Sequence, residues 1–448
     1  AGLRFNAIDL DRLPIYLHAP EGLGWVLYEQ LVGNSLGTVV QPVGPSPEWR
    51  EVGGPDTVGR HGFDDDQALL PAGPRSFSGH RLIHEYFAFP ERFAFVELRD
   101  LARGLRRCPD DEVDVFVLLD RNVTRLEHAL APHHLHLYCT PIINLFPKRT
   151  DRVAIRDRDT EAHVVADRTR PMDFEIHQVL SVVGYGTSET EKQLFRPFYG
   201  SKDVSRHSEP QAFFTVQRRP RMLSSKQRLK GTRTSYVGHE AYVSLVDAHE
   251  APYRADLREL EIEALCTNRD LPLTLSFGGG RTDFGLVAGA PVKAVRVVAG
   301  PTAPVQSLAR GDIAWRLIGH LSLNYLSLLD TDERKGAEAL RELLGLYGNV
   351  ARPEVRRQIE GVRSIESSPV VRRLPLEGPL TFGRGLRIHL TLDESAFEGT
   401  GVFLLGAVLE DFFRRYVSIN SFTETTVRTP DRGEIMQWPV RIGRRHVL

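Results

Sequence analysis

The chain has 448 residues, 41% of them hydrophobic and 26% charged, which is the balance of a soluble globular protein with two to four domains. A formal net charge of −1 excludes a general attraction to nucleic acid, so only a local basic patch could supply one. The cysteines, at positions 108, 139 and 266, are too few and too scattered for a disulfide framework or a closed zinc site. They are typical of a protein from a reducing compartment.

The N-terminal residues carry no pattern of a secretion signal, since Asp9, Asp11 and Arg12 interrupt any apolar core. The most apolar stretch, Val402 to Leu409, is far shorter than the ~20 residues that a membrane span needs. We therefore expect a soluble protein without direct membrane insertion. Because the first residue is Ala1 and not methionine, we also expect that a natural N-terminal segment precedes this sequence.

We expect three regions, the first of which spans residues 1–146 and mixes helix with strand. Residues 41–80 indicate mainly a long loop, because they are rich in Gly, Pro and Asp. Alternating apolar residues on either side of this loop indicate strands of a half-buried sheet. The predicted elements are a strand at Leu13–His18, a helix at Leu23–Leu31, and strands at Phe93–Leu98, Val113–Leu119 and Leu135–Tyr138.

The second region, residues 147–310, is expected to form a β-rich domain. Strong helical periodicity is absent there, and short apolar segments are separated by turn residues. The predicted strands are Phe174–Val183, Ala212–Gln217, Ala241–Asp247, Glu259–Leu265 and Val292–Ala299.

The third region, residues 311–448, is expected to combine helices with a short sheet. Apolar residues at helical spacing predict an amphipathic helix from Ile313 to Leu329. Asp393, Glu394 and Ser395 supply capping groups upstream of a second strong helix. The predicted elements are helices at Ile313–Leu329, Glu338–Leu346 and Gly401–Tyr416 and a strand at Leu386–Leu392. The chain is thus expected to be a multidomain α+β protein with a β-rich central domain and a mixed C-terminal domain.

The helix predicted at Gly401–Tyr416 is apolar almost all round, and such a helix must be buried on every side. Leaving its large side chains in water would be unfavourable at about 25 cal/mol per Å². Two alternatives remain open: its own domain surrounds the helix, or a partner subunit covers part of it. For the second alternative the candidate interface residues are Phe403, Leu409, Phe412, Phe413 and Tyr416.

A run of basic residues lies between positions 218 and 233, with no acidic residue among them. This density is typical of a solvated loop, of a contact with a protein partner or of a nucleic-acid site. Aromatic residues are not interleaved with the charges, so stacking on single-stranded nucleic acid is not indicated. The run comprises Arg218, Arg219, Arg221, Lys226, Arg228, Lys230 and Arg233, and the first three are the candidate partner contacts.

An enzyme is the rival hypothesis, either a hydrolase with Ser35 as nucleophile or a metal site at His134 and His136. Residues 33–37 match the G-x-S-x-G pattern, but a helix precedes Ser35 and a strand follows it, the reverse of what that motif needs. We expect a helix-to-strand turn with Gly33 or Asn34 in the left-handed conformation. The glycine run at 278–280 is expected to be a loop, and Cys266 a buried structural thiol.

Four sequence blocks, spread in order over most of the chain, resemble one family closely. That family is TssF (VasA/ImpG-type), a subunit of the bacterial type VI secretion baseplate. The blocks run from Cys139 to Arg149, from Cys266 to Pro272, from His320 to Tyr325, and from Gly401 through Thr425 to Met436.

The resemblance implies a cytoplasmic structural protein without catalytic activity, cofactor or metal, at the cytoplasmic side of the inner membrane. In the family, two TssF copies wrap one TssG, and TssK and TssE complete a wedge beneath the contractile sheath and tube. The subunit is similar to a wedge protein of contractile phage baseplates, and contacts with a second TssF copy, sheath or tube are further expectations. The resemblance also implies a further helical N-terminal region in the family, which we expect to be missing from the given sequence. Nucleic acid is not an expected partner.

Overall fold

A computed structural model of the protein describes residues 3–20, 22–71, 77–156, 160–186, 192–198, 212–223, 225, 229, 232–247, 257–307, 315–316, 333–374 and 381–444. The chain forms two compact units. Unit 1 contains Ala1–Ile142 and Leu308–Leu448, and unit 2 contains Ile143–Ser307.

Both helices and strands occur in the described residues, as expected for an α+β protein. The α-helices are α1 (Leu23–Gly33), α2 (Ser78–Ala88), α3 (Ala102–Leu105), α4 (Thr124–Ala129), α5 (Glu333–Tyr347), α6 (Pro353–Glu360) and α7 (Val402–Tyr416). The strands of unit 1 are β1 (Leu13–Leu17), β2 (Ser35–Gln41), β3 (Glu51–Gly53), β4 (Val58–Arg60), β5 (Phe95–Leu98), β6 (Asp114–Leu119), β7 (Leu135–Leu137), β16 (Val362–Arg373), β17 (Phe382–Leu392), β18 (Phe422–Thr429), β19 (Gly433–Gln437) and β20 (Arg441–Ile442). Those of unit 2 are β8 (Phe146–Arg149), β9 (Val153–Ala154), β10 (Ala162–Val164), β11 (Glu175–Tyr185), β12 (Lys192–Pro197), β13 (Ala212–Pro220), β14 (His239–Asp247) and β15 (Glu259–Thr267).

The described residues of unit 1 form three small sheets. Four strands pair in the order β4-β5-β1-β7, and three pair in the order β3-β2-β6. The third sheet has the order β16-β17-β18-β19, with β20 also paired to β18. Its strands β17 and β18 are parallel, which requires a crossover, and α7 lies in that connection.

Helix α7 joins the two ends of the chain into one core. The Phe403 ring lies 5.8 Å from the Tyr28 ring, and the Phe412 ring lies 5.8 Å from the Phe77 ring. A single cluster of buried side chains draws on the N-terminal and the C-terminal segments. The first and third sequence regions therefore share one compact unit, because the all-round apolar surface of α7 is covered from both of them.

Unit 2 is a β-domain, and its sheet has the order β10-β14-β13-β12-β11-β15-β8, with β9 also on β15. Strands β11 and β15 form a long antiparallel pair that runs from Glu175 opposite Thr267 to Tyr185 opposite Glu259. Alternating residues of these strands, among them Val182, Leu260 and Ile262, are buried in one cluster. The predicted β-rich region is thus confirmed in its main strands.

The other sequence predictions have mixed outcomes. The predicted strand at Val292–Ala299 is wrong, because only an isolated bridge joins Val295 to Phe284. The long predicted loop contains the short strands β3 and β4. The predicted helix Ile313–Leu329 lies outside the described residues, except for positions 315–316.

Helix α2 was not predicted, although its sequence carries a usable signal. Leu82, Ile83, Tyr86 and Phe87 repeat at helical spacing, and all four are buried. The preceding glycine- and proline-rich segment hid the start of this short pattern.

Candidate partner-binding residues

The five candidate interface residues of α7 lie in the core of unit 1. Phe403, Leu409, Phe412, Phe413 and Tyr416 are each no more than 8% exposed. Phe77, from the N-terminal segment, packs on Phe412 and lies 5.3 Å from the Tyr416 ring. The structure therefore supports the alternative in which the helix is buried by its own domain. The partner-interface role of these residues stays a prediction.

The C-terminal half of α7 also buries charge. Glu410, Asp411 and Arg415 are each no more than 2% exposed. The Arg415 guanidinium donates to the Asp411 carboxylate at 2.6 Å and to the Phe63 carbonyl at 2.6 Å, and it also pairs with Asp65. Burial alone would raise the pKa of Asp411, but nearby guanidinium groups outweigh it and hold that pKa below its ordinary value.

Two arginines from other parts of unit 1 complete this charge cluster. Arg60 donates to Glu410 at 2.6 Å, and Arg441 donates to the same carboxylate at 2.9 Å. Arg60 also bonds the Ala407 carbonyl at 3.0 Å. The cluster thereby ties strand β4 and strand β20 to α7. Because breaking a buried pair costs about 3–5 kcal/mol, these contacts hold the segments in a single arrangement.

A second group of buried charged side chains connects α2 to the segment that precedes it. Glu85 accepts the backbone N–H groups of Leu69 and Leu70, at 3.1 and 2.9 Å. The same carboxylate pairs with Arg81 at 3.3 Å and with Arg92. Burial lowers the pKa of Arg92 to about 9. These bonds order part of the segment that the sequence predicted as loop.

The three candidate arginines of unit 2 lie on or beside strand β13, not in a wholly solvated loop. Arg218 donates to the carbonyl oxygens of Ile176 and His177 on β11. Arg219 forms a bidentate ion pair with the Glu161 carboxylate, with N–O distances of 2.5 and 2.6 Å. Strand β13 extends beyond the predicted end at Gln217, because its backbone pairs with β14 as far as Pro220. Of the rest of the run, Lys226, Arg228 and Lys230 lie outside the described residues.

Arg221 follows directly after β13 and is mostly buried. Its guanidinium donates to the Pro171 carbonyl at 2.9 Å and lies 3.6 Å from a carboxylate oxygen of Glu240. It therefore has partners within its own unit. The partner-contact role of Arg218, Arg219 and Arg221 stays a prediction, and the Arg219 side chain, at 44%, is more exposed than that of Arg221 at 12%.

A tightly bonded cluster in unit 2 was missed by the sequence reasoning. Arg269, with φ of 55°, donates to the carbonyl oxygens of Met172, Tyr236 and Val237 at 2.6, 3.1 and 2.9 Å. Asp270 accepts bonds from Arg233 and from the Thr234 hydroxyl, both at 2.6 Å.

The Arg233 hydrogen bond holds the pKa of Asp270 at about 2. Arg269 and Asp270 both belong to the sequence block from Cys266 to Pro272. The sequence analysis identified this block but assigned no structural role to its residues.

Two of the family-like blocks meet in unit 2. The Asn144 side-chain oxygen accepts the backbone N–H of Asn268 at 2.6 Å, and its amide donates to the Asn268 side-chain oxygen at 3.3 Å. Phe146 and Cys266 are cross-strand partners on β8 and β15. These residues therefore act in folding: they hold the ends of two strands in register.

The proposed hydrolase site has the geometry of a turn. Helix α1 precedes Ser35 and strand β2 begins at it, as the sequence predicted. The Ser35 hydroxyl accepts the backbone N–H of Gly37 at 3.2 Å. The prediction of a left-handed residue at Gly33 or Asn34 is wrong. Gly33 is the last residue of α1, and Asn34 has φ of −123°. Gly37 instead has φ of 145°, and a Cβ there would lie 2.1 Å from the Gly53 carbonyl oxygen.

His134 and His136, the candidate metal ligands, do not lie on one strand. His134 ends a 3₁₀ turn and accepts the Ala131 N–H at 3.1 Å, whereas His136 lies within β7. In the described part of the chain, no group of three or more His, Cys, Asp or Glu side chains could hold a metal ion. Cys266 is fully buried, and burial raises the pKa of its thiol to about 11, so the thiol is protonated at neutral pH.

Several large apolar side chains are exposed, and the sequence reasoning predicted none of them to be so. On one face of the β3-β2-β6 sheet, the side chains of Val52 and Phe116 are 70% and 48% exposed. Tyr138, with φ of 58°, is 95% exposed. In unit 2, Leu286 and Val287 lie at the end of a long loop. Exposed apolar groups of this size are typical of surfaces that contact another molecule.

Among the described residues, no helix combines the length and the hydropathy needed to cross a membrane.

Comparison with known proteins gives one consistent family. A family model described as the TssF protein of the type VI secretion system matches residues 1–445. The type VI secretion system component TssF1 of Pseudomonas aeruginosa is 52% identical over 445 residues. That alignment covers 99% of this chain and 71% of the relative.

Two solved structures are similar in fold. A chain of the TssK-TssF-TssG baseplate subcomplex, determined by cryo-electron microscopy, aligns with a TM-score of 0.70 and 24% identity. The alignment covers 99% of this chain and 77% of that one. A chain of the type VI secretion baseplate complex aligns with a TM-score of 0.55 and 21% identity, over 98% and 71% of the two chains.

Proposed function

The chain belongs to the TssF family of the type VI secretion system, and from this premise we propose that it is a structural subunit of the baseplate. In this proposal it binds other baseplate proteins and catalyses no reaction. The observation that carries it is the family match from residue 1 to residue 445, with 52% identity to a TssF1 component across 99% of the chain.

The construction of unit 1 supports a mechanical role. Arg415 and Arg60 connect α7 to segments about 350 residues away in sequence. The Arg60–Glu410 pair is buried and costly to break, whereas Arg415 reaches a half-exposed carboxylate, that of Asp65. A force applied to one segment is therefore passed to the other mainly through the buried pair. A subunit that positions partners needs this rigidity.

The partners follow from the relatives. One structural relative is part of a TssK-TssF-TssG subcomplex, and on this basis we assign TssG and TssK as the partners of this chain. Two copies per TssG, contact with TssE, with a second copy and with sheath or tube proteins are further parts of the proposal. The assembly would lie in the cytoplasm, at the cytoplasmic side of the inner membrane.

Co-expression tests the proposal directly. The chain is expressed with TssG and TssK of the same organism, and the mass of the purified complex is measured by light scattering. We expect a discrete complex with two copies of this chain per TssG. A chain that purifies alone beside folded TssG and TssK would contradict the structural role, and another stoichiometry would contradict the copy number.

A matched pair of variants tests the predicted contact at Arg219. Arg219 and Arg428 are both exposed arginines in surface ion pairs, with side chains 44% and 50% exposed. If Arg219 faces a partner, Arg219→Glu weakens the complex about tenfold through charge repulsion, whereas Arg428→Glu leaves the affinity unchanged. Equal affinities of the two variants would remove Arg219 from the interface.

A further inference from the structure

Unit 2 carries a long loop, residues 277–297, that we name the finger. Its two arms are joined at the base, where Asp283 donates its backbone N–H to the Val295 carbonyl at 2.8 Å. The Asp283 carboxylate accepts the backbone N–H groups of Gly278 and Val297, at 2.7 and 2.9 Å. The rings of Phe277 and Phe284 lie 6.1 Å apart. The finger thus has an ordered base.

Thr282 reinforces that base on the same side. Its hydroxyl accepts the backbone N–H of Val295 at 3.0 Å and lies 2.7 Å from the Phe284 carbonyl oxygen. Bonds between the two arms fix the conformation of the finger's base before any partner is present. A preorganised loop loses less conformational entropy on binding than a disordered one.

The tip of the finger, residues 285–292, has the sequence Gly-Leu-Val-Ala-Gly-Ala-Pro-Val and is exposed throughout. The side chains of Leu286 and Val292 are 54% and 53% exposed, and Val287 is fully exposed. No residue of the tip is charged or carries a polar side chain. An apolar tip in solvent neither packs in the core of its own unit nor improves solubility. Such a segment is typical of a surface that contacts another molecule.

The tip is bordered by positive charge. Arg281, Lys293 and Arg296 are exposed, and Arg296 lies near enough to the Asp283 carboxylate to interact with it electrostatically. The one acidic side chain of the finger, Asp283, is engaged by two backbone N–H groups. The apolar tip is therefore bordered by three exposed cations, which we call the collar.

We propose that the finger inserts its tip into an apolar cleft with an acidic rim on a neighbouring protein subunit of the baseplate. The inference rests on the proposed function, and it names the surface that this function uses. The apolar tip requires an apolar cleft, and the cationic collar requires carboxylates at its rim.

An anionic membrane surface would also attract an apolar tip with cations beside it. The tip, however, carries no Trp or Tyr, the residues that anchor proteins at membrane interfaces. Hydrogen bonds also hold its base in one conformation, which suits a shaped cleft better than a fluid surface. The observations therefore favour a protein partner.

The test measures the affinity of the full chain for purified TssG and TssK of the same organism. Val287→Asp places a charge in the cleft and weakens binding at least about tenfold. Val371→Asp makes the same change at another exposed valine, 57% exposed in β16, and leaves the affinity unchanged. Since neither side chain is buried, both variants keep the melting temperature of the wild type, which excludes misfolding as the cause.

A second variant tests the collar. Lys293→Glu with Arg296→Glu weakens the complex at low salt, and the difference from the wild type shrinks as salt screens the charges. Membrane binding is tested by mixing the wild-type chain, Val287→Asp and the double variant with vesicles of phosphatidylethanolamine and phosphatidylglycerol.

Wild-type affinity of Val287→Asp for TssG and TssK would overturn the inference. Vesicle binding that Val287→Asp abolishes, with the protein complex intact, would replace the cleft by a membrane. If the wild-type chain itself binds neither TssG nor TssK, the proposed function fails first, and the inference fails with it.

Discussion

Arginine stabilises the two units of this protein in different ways. In unit 1, Arg415 and Arg60 are paired with the buried carboxylates of Asp411 and Glu410. In unit 2, Arg269 is equally hidden, but it donates mainly to backbone carbonyl oxygens. A carboxylate that loses its arginine is left as a buried charge, whereas a carbonyl loses only a hydrogen bond. Removing Arg415 should therefore cost more than removing Arg269.

The units can be followed separately, which makes the comparison testable. Trp25, Trp49, Trp315 and Trp438 all lie in unit 1, and residues 143–307 contain no tryptophan. Tryptophan fluorescence therefore reports the unfolding of unit 1. A transition seen by far-UV circular dichroism without a change in fluorescence belongs to unit 2.

The largest effect is expected for Arg415→Ala. The change leaves Asp411 short of its closest cation and removes a bond to the Phe63 carbonyl, so unit 1 should lose about 3–5 kcal/mol of unfolding free energy. Urea unfolding followed by tryptophan fluorescence measures it. Arg428→Ala is the control, because its pair with Glu434 is exposed and contributes less than about 1 kcal/mol. Equal losses in the two variants would contradict the buried pair.

A slightly smaller loss is expected for Leu409→Ala, which removes a fully buried side chain of α7. The cavity should destabilise unit 1 by roughly 2–5 kcal/mol in the same fluorescence experiment. Leu118→Ala, at a leucine that is 46% exposed, should change the unfolding free energy by less than about 0.5 kcal/mol. A neutral Leu409→Ala would mean that the helix is not packed by its own unit, and would return it to the interface hypothesis.

In unit 2 the expected effect depends on pH. The folded pKa of Asp270 is about 2, below the ordinary value of 3.8, so its carboxylate stabilises unit 2 above pH of about 4. That stability is lost as the pH falls from about 4 towards 2. Unfolding of unit 2 by urea at pH 7 and pH 3, followed by circular dichroism, measures the loss. Asp270→Asn should remove this part of the pH dependence; an unchanged slope in that variant would show that Asp270 is not its source.

The smallest effect is expected for Arg219→Ala. Its pair with Glu161 lies at the surface of unit 2, and exposed pairs contribute less than about 1 kcal/mol. The dichroism transition of unit 2 should shift little, even where the complex with partners weakens. A large shift would place Arg219 among the structural arginines of unit 2.

Local sequence patterns predicted the elements whose residues repeat regularly. Strands β11, β13, β14 and β15 and helices α1 and α7 lie close to their predicted positions, because period-two and helical patterns reflect one buried face. The apolar segment Val292–Ala299 also has a strand-like composition, yet it forms no strand. A strand needs a partner along its length, and here the pairing is limited to Val295.

For the candidate residues, too, the sequence pattern indicated a property but not the contacts that satisfy it. The all-round apolar character of α7 correctly indicated burial, but nothing in that pattern said which segment would cover it. The covering side chains include Tyr28 and Phe77, which are more than 300 positions away in sequence. The basic run likewise indicated a concentration of charge, whereas its partners Ile176, Glu161 and Asp270 come from other strands and loops.

The sequence by itself determined the family, the β-rich centre and the need to bury the C-terminal helix, since motifs, periodicity and hydrophobicity are properties of neighbouring residues. Tertiary structure decided that the two ends of the chain share one core and that Asp411 and Asp270 are held ionised. It also decided that the tip at Val287 remains in solvent. Each of these depends on contacts between segments far apart in the chain, and the free energy of such contacts is set only when the fold brings them together.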